Sequence, residues 1–371
     1  MMERRQIVGL WRRGDARVLV TVVRVEGSSY RRPGARLLLG QAGEYAGTIS
    51  GGCLETEVTR KAAWKVREGA VVERYSTMFD DTADVPYGLG CGGVVDLLLE
   101  SVETPECAAL LSAMERALVG EQSVVVTWFP GEGKPLRRVV LGSGGDLVFA
   151  SEGLGEKKLA CAHGLRPGEE YEGRFVEEMR APQRLFVLGA GDDARPLVAM
   201  ALMLGWSVTV ADGRAHLVRA ERFAAGIDRV VGLDQSGVLA LRICADDAVV
   251  VMTHSYEQDR EMLTALLPIQ PRYLGLLGAR HRSSLLVSEA AAMAGLSVEE
   301  CCERIWAPVG LDLGGDGPEA IALAVIAEAQ AACMGKLGVS RRLTAADVAK
   351  HVSEGGASRY LQTQCAADVA Q

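Results

Sequence analysis

One stretch limits what this chain can fold into more than any other: RLFVLGAGDDARPLVAMALMLGWSVTVADGR, from Arg184 to Arg214. An apolar run leads into Gly189-Ala190-Gly191-Asp192-Asp193-Ala194, a helical pattern follows, and a second apolar run ends at Asp212. Each part has a physical job. The first glycine permits a tight turn, the second lets backbone approach a pyrophosphate, and the small third residue packs helix against strand. Asp212 stands where a carboxylate would accept hydrogen bonds from ribose hydroxyls and disfavour a 2′-phosphate, although Arg214 weakens that discrimination. Further apolar runs at 248–254 and 272–278 alternate with helical patterns near 257–267 and 280–294. Such alternation predicts a Rossmann-like, doubly wound parallel sheet over residues 183–338, followed by a polar tail at 339–371.

A dinucleotide-type fold does not by itself imply a bound NAD. Asp192 and Asp193 stand at the helix N-terminus, where their charges suit the helix dipole but oppose a phosphate. The alternatives are therefore an NAD site built on Gly189, Gly191 and Asp212 and a scaffold that holds no nucleotide. His254 ends the run VVVMTH, and strand carboxyl ends face the ligand crevice of such sheets, so it is read as a binding or proton-transfer candidate beside a structural alternative. Arg280 and His281 follow another glycine turn, LGLLGARHR, that suits an anion or is a solvated turn. Asp316 and Glu319 have the spacing of a capping box for the apolar helix that follows.

The first 182 residues form a separate domain with a polar connector at 151–183. A helix over 2–13 and a strand over 16–25 precede a glycine-rich segment, Gly27 to Gly52, that holds two short strands, RLLLG and EYAGT. The loop GSSYRRPGAR offers the hydroxyls of Ser28 and Ser29 and the cations Arg31, Arg32 and Arg36, which suit an anionic ligand as readily as a charged surface turn. Gly51 and Gly52 precede Cys53 at the start of a helix spaced over 53–68, and Cys91 lies in the loop GLGCGG. A helix N-terminus lowers a thiol pKa, with Glu55 and Glu57 opposing the shift; an inert, packed role is the alternative for both cysteines.

Composition narrows the functions. The chain carries 40 basic and 48 acidic residues, a net charge of -8, which opposes nucleic acid as a partner. No secretion signal or spanning run is read, so no membrane partner and a cytoplasmic location are expected. Nine scattered cysteines without a CxxC pair argue against a disulfide framework and a structural metal site.

Taken in order, GSSYRRPGARLLLG, GTISGGCLETEV, GLGCGGVVDLLLE, RLFVLGAGDDARPLVAMALMLGWSVTVADGR, VVVMTHSYEQD, YLGLLGARHRSSLL and APVGLDLGGDGPEAIALAVIAEA resemble the XdhC/CoxI accessory factors of molybdenum hydroxylases. The resemblance implies a mixed α/β XdhC-type domain ahead of the Rossmann-like one. It further implies a maturation factor that binds molybdenum cofactor and aids its sulfuration or insertion. Its partners would be an apo-hydroxylase of the xanthine dehydrogenase type and a sulfur-donor protein, and a homodimer is compatible with this role. By the same resemblance Cys53 and Cys91, with their glycine loops, handle the cofactor. Asp192 and Asp193 depart from the His-Val common in the family turn, Ala279 replaces a usual serine, and Tyr30 replaces a common proline. A nicotinamide-dependent oxidoreductase and a nucleotide-sensing regulator are the competing readings.

Overall fold

A computed structural model describes residues 1–52, 54–76, 93–131, 133–169, 171–233 and 237–338. The chain divides into two units, Met2–Ala181 and a second that begins at Pro182.

In the N-terminal unit the order is α1 (Met2–Arg12), β1 (Ala16–Gly27), β2 (Arg36–Gly40), β3 (Tyr45–Gly47), α2 (Glu55–Lys65), β4 (Val71–Ser76) and β5 (Gly93–Ser101). Then come α3 (Pro105–Leu118), β6 (Ser123–Trp128), β7 (Arg137–Gly142), β8 (Leu147–Ala150), α4 (Glu156–Ala162) and β9 (Arg174–Met179). Two antiparallel sheets result, in the orders β3-β2-β1-β5-β4 and β8-β7-β6-β9. β1 is central and covered on both faces, which is why ARVLVTVV reads as a nearly unbroken apolar run. Val18, Val20 and Val22 pack with Val58 and Ala62 of α2, whereas Leu19 points the other way, into a core shared with α1, α3 and Val125 and Val140 of the second sheet. The connector holds a helix, α4, as well as the strand β9 that completes the second sheet.

The C-terminal unit runs β10 (Arg184–Leu188), α5 (Ala194–Met203), β11 (Ser207–Asp212), β12 (Arg229–Gly232), β13 (Ala248–Val251), α6 (Tyr256–Leu266) and β14 (Tyr273–Leu276), then α7 (Arg280–Ala294), α8 (Val298–Arg304) and α9 (Pro318–Cys333). Its five strands are parallel in the order β12-β11-β10-β13-β14. This is the mixed α/β chain with a Rossmann-like domain that the sequence leads one to expect. Alternate residues of β10 face opposite cores: Leu185 and Val187 meet α5 and α9, while Phe186 and Leu188 meet α6 and α7.

Two details differ from the sequence reading. β13 stops at Val251, so His254 lies beyond the strand, in left-handed backbone with φ 66°. Asp316 closes no capping box: Gly317, at φ 93°, is the N-cap of α9 and Pro318 takes the first helical position. Among the described residues no helix is long and apolar enough to cross a membrane.

Candidate functional sites

At the carboxyl ends of β10, β11 and β13 the structure gathers Gly189, Gly191, Asp212 and His254. Gly189 is required by close packing, since a Cβ there would stand 2.3 Å from the Met252 carbonyl oxygen, in backbone at φ 127°. Asp212 is fully buried. One of its carboxylate oxygens accepts from the Arg214 amide at 2.8 Å and Arg214 Nε at 3.0 Å; the other accepts from the Ala190 amide at 2.7 Å and Arg214 Nη2 at 2.7 Å. Burial alone would raise its pKa, but the Arg214 guanidinium and these amides hold it below the ordinary carboxylate value. With both oxygens engaged, Asp212 braces the glycine turn and does not offer the free acceptor that a ribose hydroxyl needs.

Asp193 alters the turn further. Its carboxylate lies over Gly191, 2.5 Å from where a Cβ would stand, and reaches His254 Nε2 at 2.7 Å. Asp192 pairs with Arg222 Nη2 at 2.9 Å, and Arg222 also donates to the Ala190 carbonyl at 2.6 Å. A dinucleotide diphosphate needs open amides and positive potential beside the second glycine. Here that position holds a carboxylate, so the residues present do not fit the group. Behind His254 lies a pair that sequence reading missed: buried Asp259 accepts from Thr253 Oγ1 at 2.6 Å and from Arg282 Nη2 at 2.7 Å. Twenty-three residues separate Asp259 from Arg282, and no local pattern announces the contact.

In the N-terminal unit two glycine segments meet the Ser28 loop. A Cβ on Gly51 would stand 3.8 Å from the Tyr30 ring, and one on Gly93 would stand 2.0 Å from the Ser28 carbonyl oxygen. Ser28, Gly51 and Gly52 are exposed, and Ser29 is half-buried. Cys53 and Cys91, the proposed reactive thiols, lie outside the described residues; in the chain Gly52 directly precedes Cys53, and Gly93 follows Cys91 by two positions. Arg36 is elsewhere. It is 6% exposed and bound to Glu177 and to the Gly34 carbonyl at 3.0 Å, so its charge is already largely committed and it does not join Ser28 and Ser29 at an open loop. Among the described residues no cluster of three metal-ligating side chains occurs.

Glu55 shapes the segment before Cys53. One carboxylate oxygen accepts from the amides of Ile49 at 3.1 Å and Ser50 at 2.9 Å and from the Thr48 hydroxyl; the other accepts from the Ser50 hydroxyl. Ser50 Oγ in turn accepts from the amides of Gly52 at 3.2 Å and Leu54 at 3.0 Å. Burial opposes the Glu55 charge, but the Ser50 and Thr48 hydroxyls and the Ser50 amide outweigh it and lower its pKa. A group with a lowered folded pKa stabilises above its unfolded pKa and loses that contribution as pH falls through the folded value. Glu55→Ala should therefore cost about 1–2 kcal/mol at pH 7 and almost nothing once the carboxyl is protonated in acid. Urea titrations at pH 7 and near pH 3 check this, and an equal cost at both would refute it.

Comparison with known proteins places this architecture. A family model described as the XdhC Rossmann domain matches residues 185–329, and one for the XdhC and CoxI family matches residues 10–76. The chain belongs to the XdhC and CoxI family. Among relatives of this family member, a Bacillus subtilis protein named as a probable subunit of xanthine dehydrogenase is 28% identical over 84% of the chain and 91% of that protein. The molybdenum cofactor insertion chaperone PaoD of Escherichia coli is 26% identical over 85% of the chain and 83% of that protein. A crystal structure described as a xanthine dehydrogenase from Bacillus halodurans superposes with a TM-score of 0.74 at 26% identity, covering 94% of this chain and 99% of the other.

Proposed function

We propose that this family member is an accessory factor for a molybdenum hydroxylase of the xanthine dehydrogenase type, binding molybdenum cofactor and aiding its sulfuration or insertion. The observation that carries the reading is the meeting of the Ser28 loop with Gly51 and Gly93, the glycine segments that lead to Cys53 and Cys91. Relatedness to a chain named as a molybdenum cofactor insertion chaperone supports it. In the crevice of the second unit, Asp193 over Gly191 weighs against a nicotinamide enzyme.

The donor set suits an anionic, sulfur-bearing group. Ser28 and Ser29 supply hydroxyls, the exposed backbone at Gly51 and Gly52 allows close approach, and Glu55 repels little because its charge is spent on four donors. Cys53 and Cys91 would supply soft thiolates, which match molybdenum and sulfur chemistry. When bound, the cofactor brings the redox-active metal that the client enzyme uses. The chain's own residues hold and release it, with an apo-hydroxylase and a sulfur donor as partners in a cytoplasmic setting.

The test is purification from a molybdenum-replete host, with pterin content and transfer to an apo-hydroxylase measured on the wild type, Cys53→Ser and Cys91→Ser. Loss of either thiol should reduce transfer by about tenfold or more, equivalent to about 1.4 kcal/mol or more of lost binding. Absence of pterin and transfer in the wild type, together with steady NAD-dependent turnover of a small substrate, would overturn the reading.

A further inference from the structure

A cleft of about 1030 Å³ opens in the N-terminal unit, bounded by β1, β4 and β5 of the first sheet, by the edge strand β9 and by residues 167–169 and 171–173. Its apolar surface comes from Val23, Val72, Phe129 and Phe175, which belong to one small cluster with Leu98, Leu136 and Ala70. Two planar rings beside aliphatic side chains form a surface suited to a flat ligand.

One side of the cleft is polar and unusually arranged. Arg4 and Arg36 both line it, with Glu177 paired to Arg36 and within electrostatic reach of Arg4. Arg36 gives Nη1 to the Gly34 carbonyl and Nη2 to Glu177, yet its Nε has no hydrogen-bond partner although the residue is only 6% exposed. A buried donor without an acceptor is rare in folded proteins. Arg4 gives Nη1 to the Arg180 carbonyl at 2.6 Å. Burial, with Arg36 nearby and only partly offset by Glu177, lowers the Arg4 pKa to about 10. Two guanidiniums facing one carboxylate leave a cation in excess, desolvated and underpaired. At the mouth stands Arg32, exposed and without a carboxylate partner among the described residues. Acidic side chains line it too: Asp96, which faces Arg74 at 3.7 Å although its Oδ1 accepts no hydrogen bond, Glu178, which pairs with Arg180 at 2.6 Å, and Glu169 and Glu172.

We propose that this cleft is a binding site for a planar aromatic molecule carrying an oxyanion, with Arg4 and Arg32 gripping the phosphate or carboxylate, Arg36 adding positive potential, and Phe129 and Phe175 flanking the ring. Ser28, Ser29, Gly51 and Gly52 do not line it, although Arg32 and Arg36, at the far end of the same GSSYRRPGAR loop, do. It stands whether or not the chain delivers a molybdenum cofactor. An incoming oxyanion would offset the excess positive charge of Arg4 and Arg36. Charge-assisted pairing and aromatic contact would then act on opposite ends of one ligand.

The test titrates the full chain with three fluorescent probes of one shape, 1-naphthyl phosphate, 1-naphthoate and 1-naphthol. At least one anion should bind about tenfold or more tightly than the neutral naphthol, and the preferred anion shows whether the natural ligand is a phosphate or a carboxylate. Arg4→Met should abolish the preference for the anion. Should Arg4→Met unfold the unit, Arg32→Met at the exposed mouth should still reduce the preference severalfold, whereas Arg13→Met, outside the cleft, should leave it intact. Phe175→Leu should weaken all three probes together. Equal binding of the three probes by the wild type, or a preference that survives both Arg4→Met and Arg32→Met in folded protein, overturns the proposal.

Discussion

Replacing Arg138 with methionine should destabilise the N-terminal unit by about 3–5 kcal/mol, the largest single-residue effect expected in the chain. Arg138 and Glu100 are each 1% exposed and form a two-pronged pair, Nη1 to Oε2 at 2.8 Å and Nη2 to Oε1 at 3.0 Å. Two further donors are used: Nε reaches Thr127 Oγ1 at 3.0 Å, and Nη1 also reaches the Glu106 carbonyl at 2.7 Å. Glu100 belongs to β5 and Thr127 and Arg138 to β6 and β7, so one guanidinium ties the two sheets and the start of α3 together. Removing it strands a buried carboxylate beside Cys107, whose thiol burial and Glu100 already push well above its ordinary pKa. The pair itself is a different matter. Desolvation of both ions offsets most of their attraction, so the double change Arg138→Met with Glu100→Met should recover most of the loss. Urea denaturation of the two variants decides the point, and a single-variant cost below about 1 kcal/mol would show that water or rearrangement satisfies Glu100.

The contrast between Arg138 and Gly189 shows what the sequence reveals. The strand, turn and helix around Gly189 are local, and their apolar spacing and small residues are visible within one short stretch, so the Rossmann-like sheet is directly legible. Arg138, in RRVVLG, looks like the polar start of a strand; its burial depends on Glu100, 38 residues earlier, and nothing local marks that pairing. Arg36 is misplaced for the same reason. The loop GSSYRRPGAR invites an open cationic surface, but Glu177, 141 residues away, draws the guanidinium inward. β12 has no clear local signal, because Arg229–Gly232 is short and half exposed and is defined by pairing with β11. The continuously β-prone run VVVMTH puts His254 on a strand, whereas the chain leaves the sheet at Val251 and turns so that Thr253 can reach buried Asp259. Contacts distant in sequence thus determine which candidate residues remain open to a ligand.

Asp193→Asn should raise the affinity of the C-terminal unit for ADP by about thirtyfold, from a wild-type dissociation constant in the range of about 1 mM or weaker. The expected gain rests on charge. A carboxylate about 4 Å from one phosphate charge is repelled by about 4 kcal/mol at an effective dielectric of 20, and partial exposure reduces this to about 2 kcal/mol. Asparagine keeps the shape of the side chain and removes its charge, so the comparison isolates electrostatics from the packing over Gly191. Asp192 provides the internal control. Its side chain is 84% exposed and already shares Arg222, so Asp192→Asn should change ADP affinity by no more than a few-fold. His254 refines the result. In the wild type its ring meets Asp193 at 2.7 Å, and once Asp193 is neutral the imidazole is free to approach a phosphate, so His254→Ala in the Asp193→Asn background should remove part of the gain. Calorimetric titration at low salt measures all four proteins, and the gain should shrink as salt rises. If Asp193→Asn binds ADP no better than the wild type, charge at the turn is not the obstacle. The obstacle would then be Asp212, whose two oxygens are held by Ala190 and Arg214 and leave nothing to accept a ribose hydroxyl.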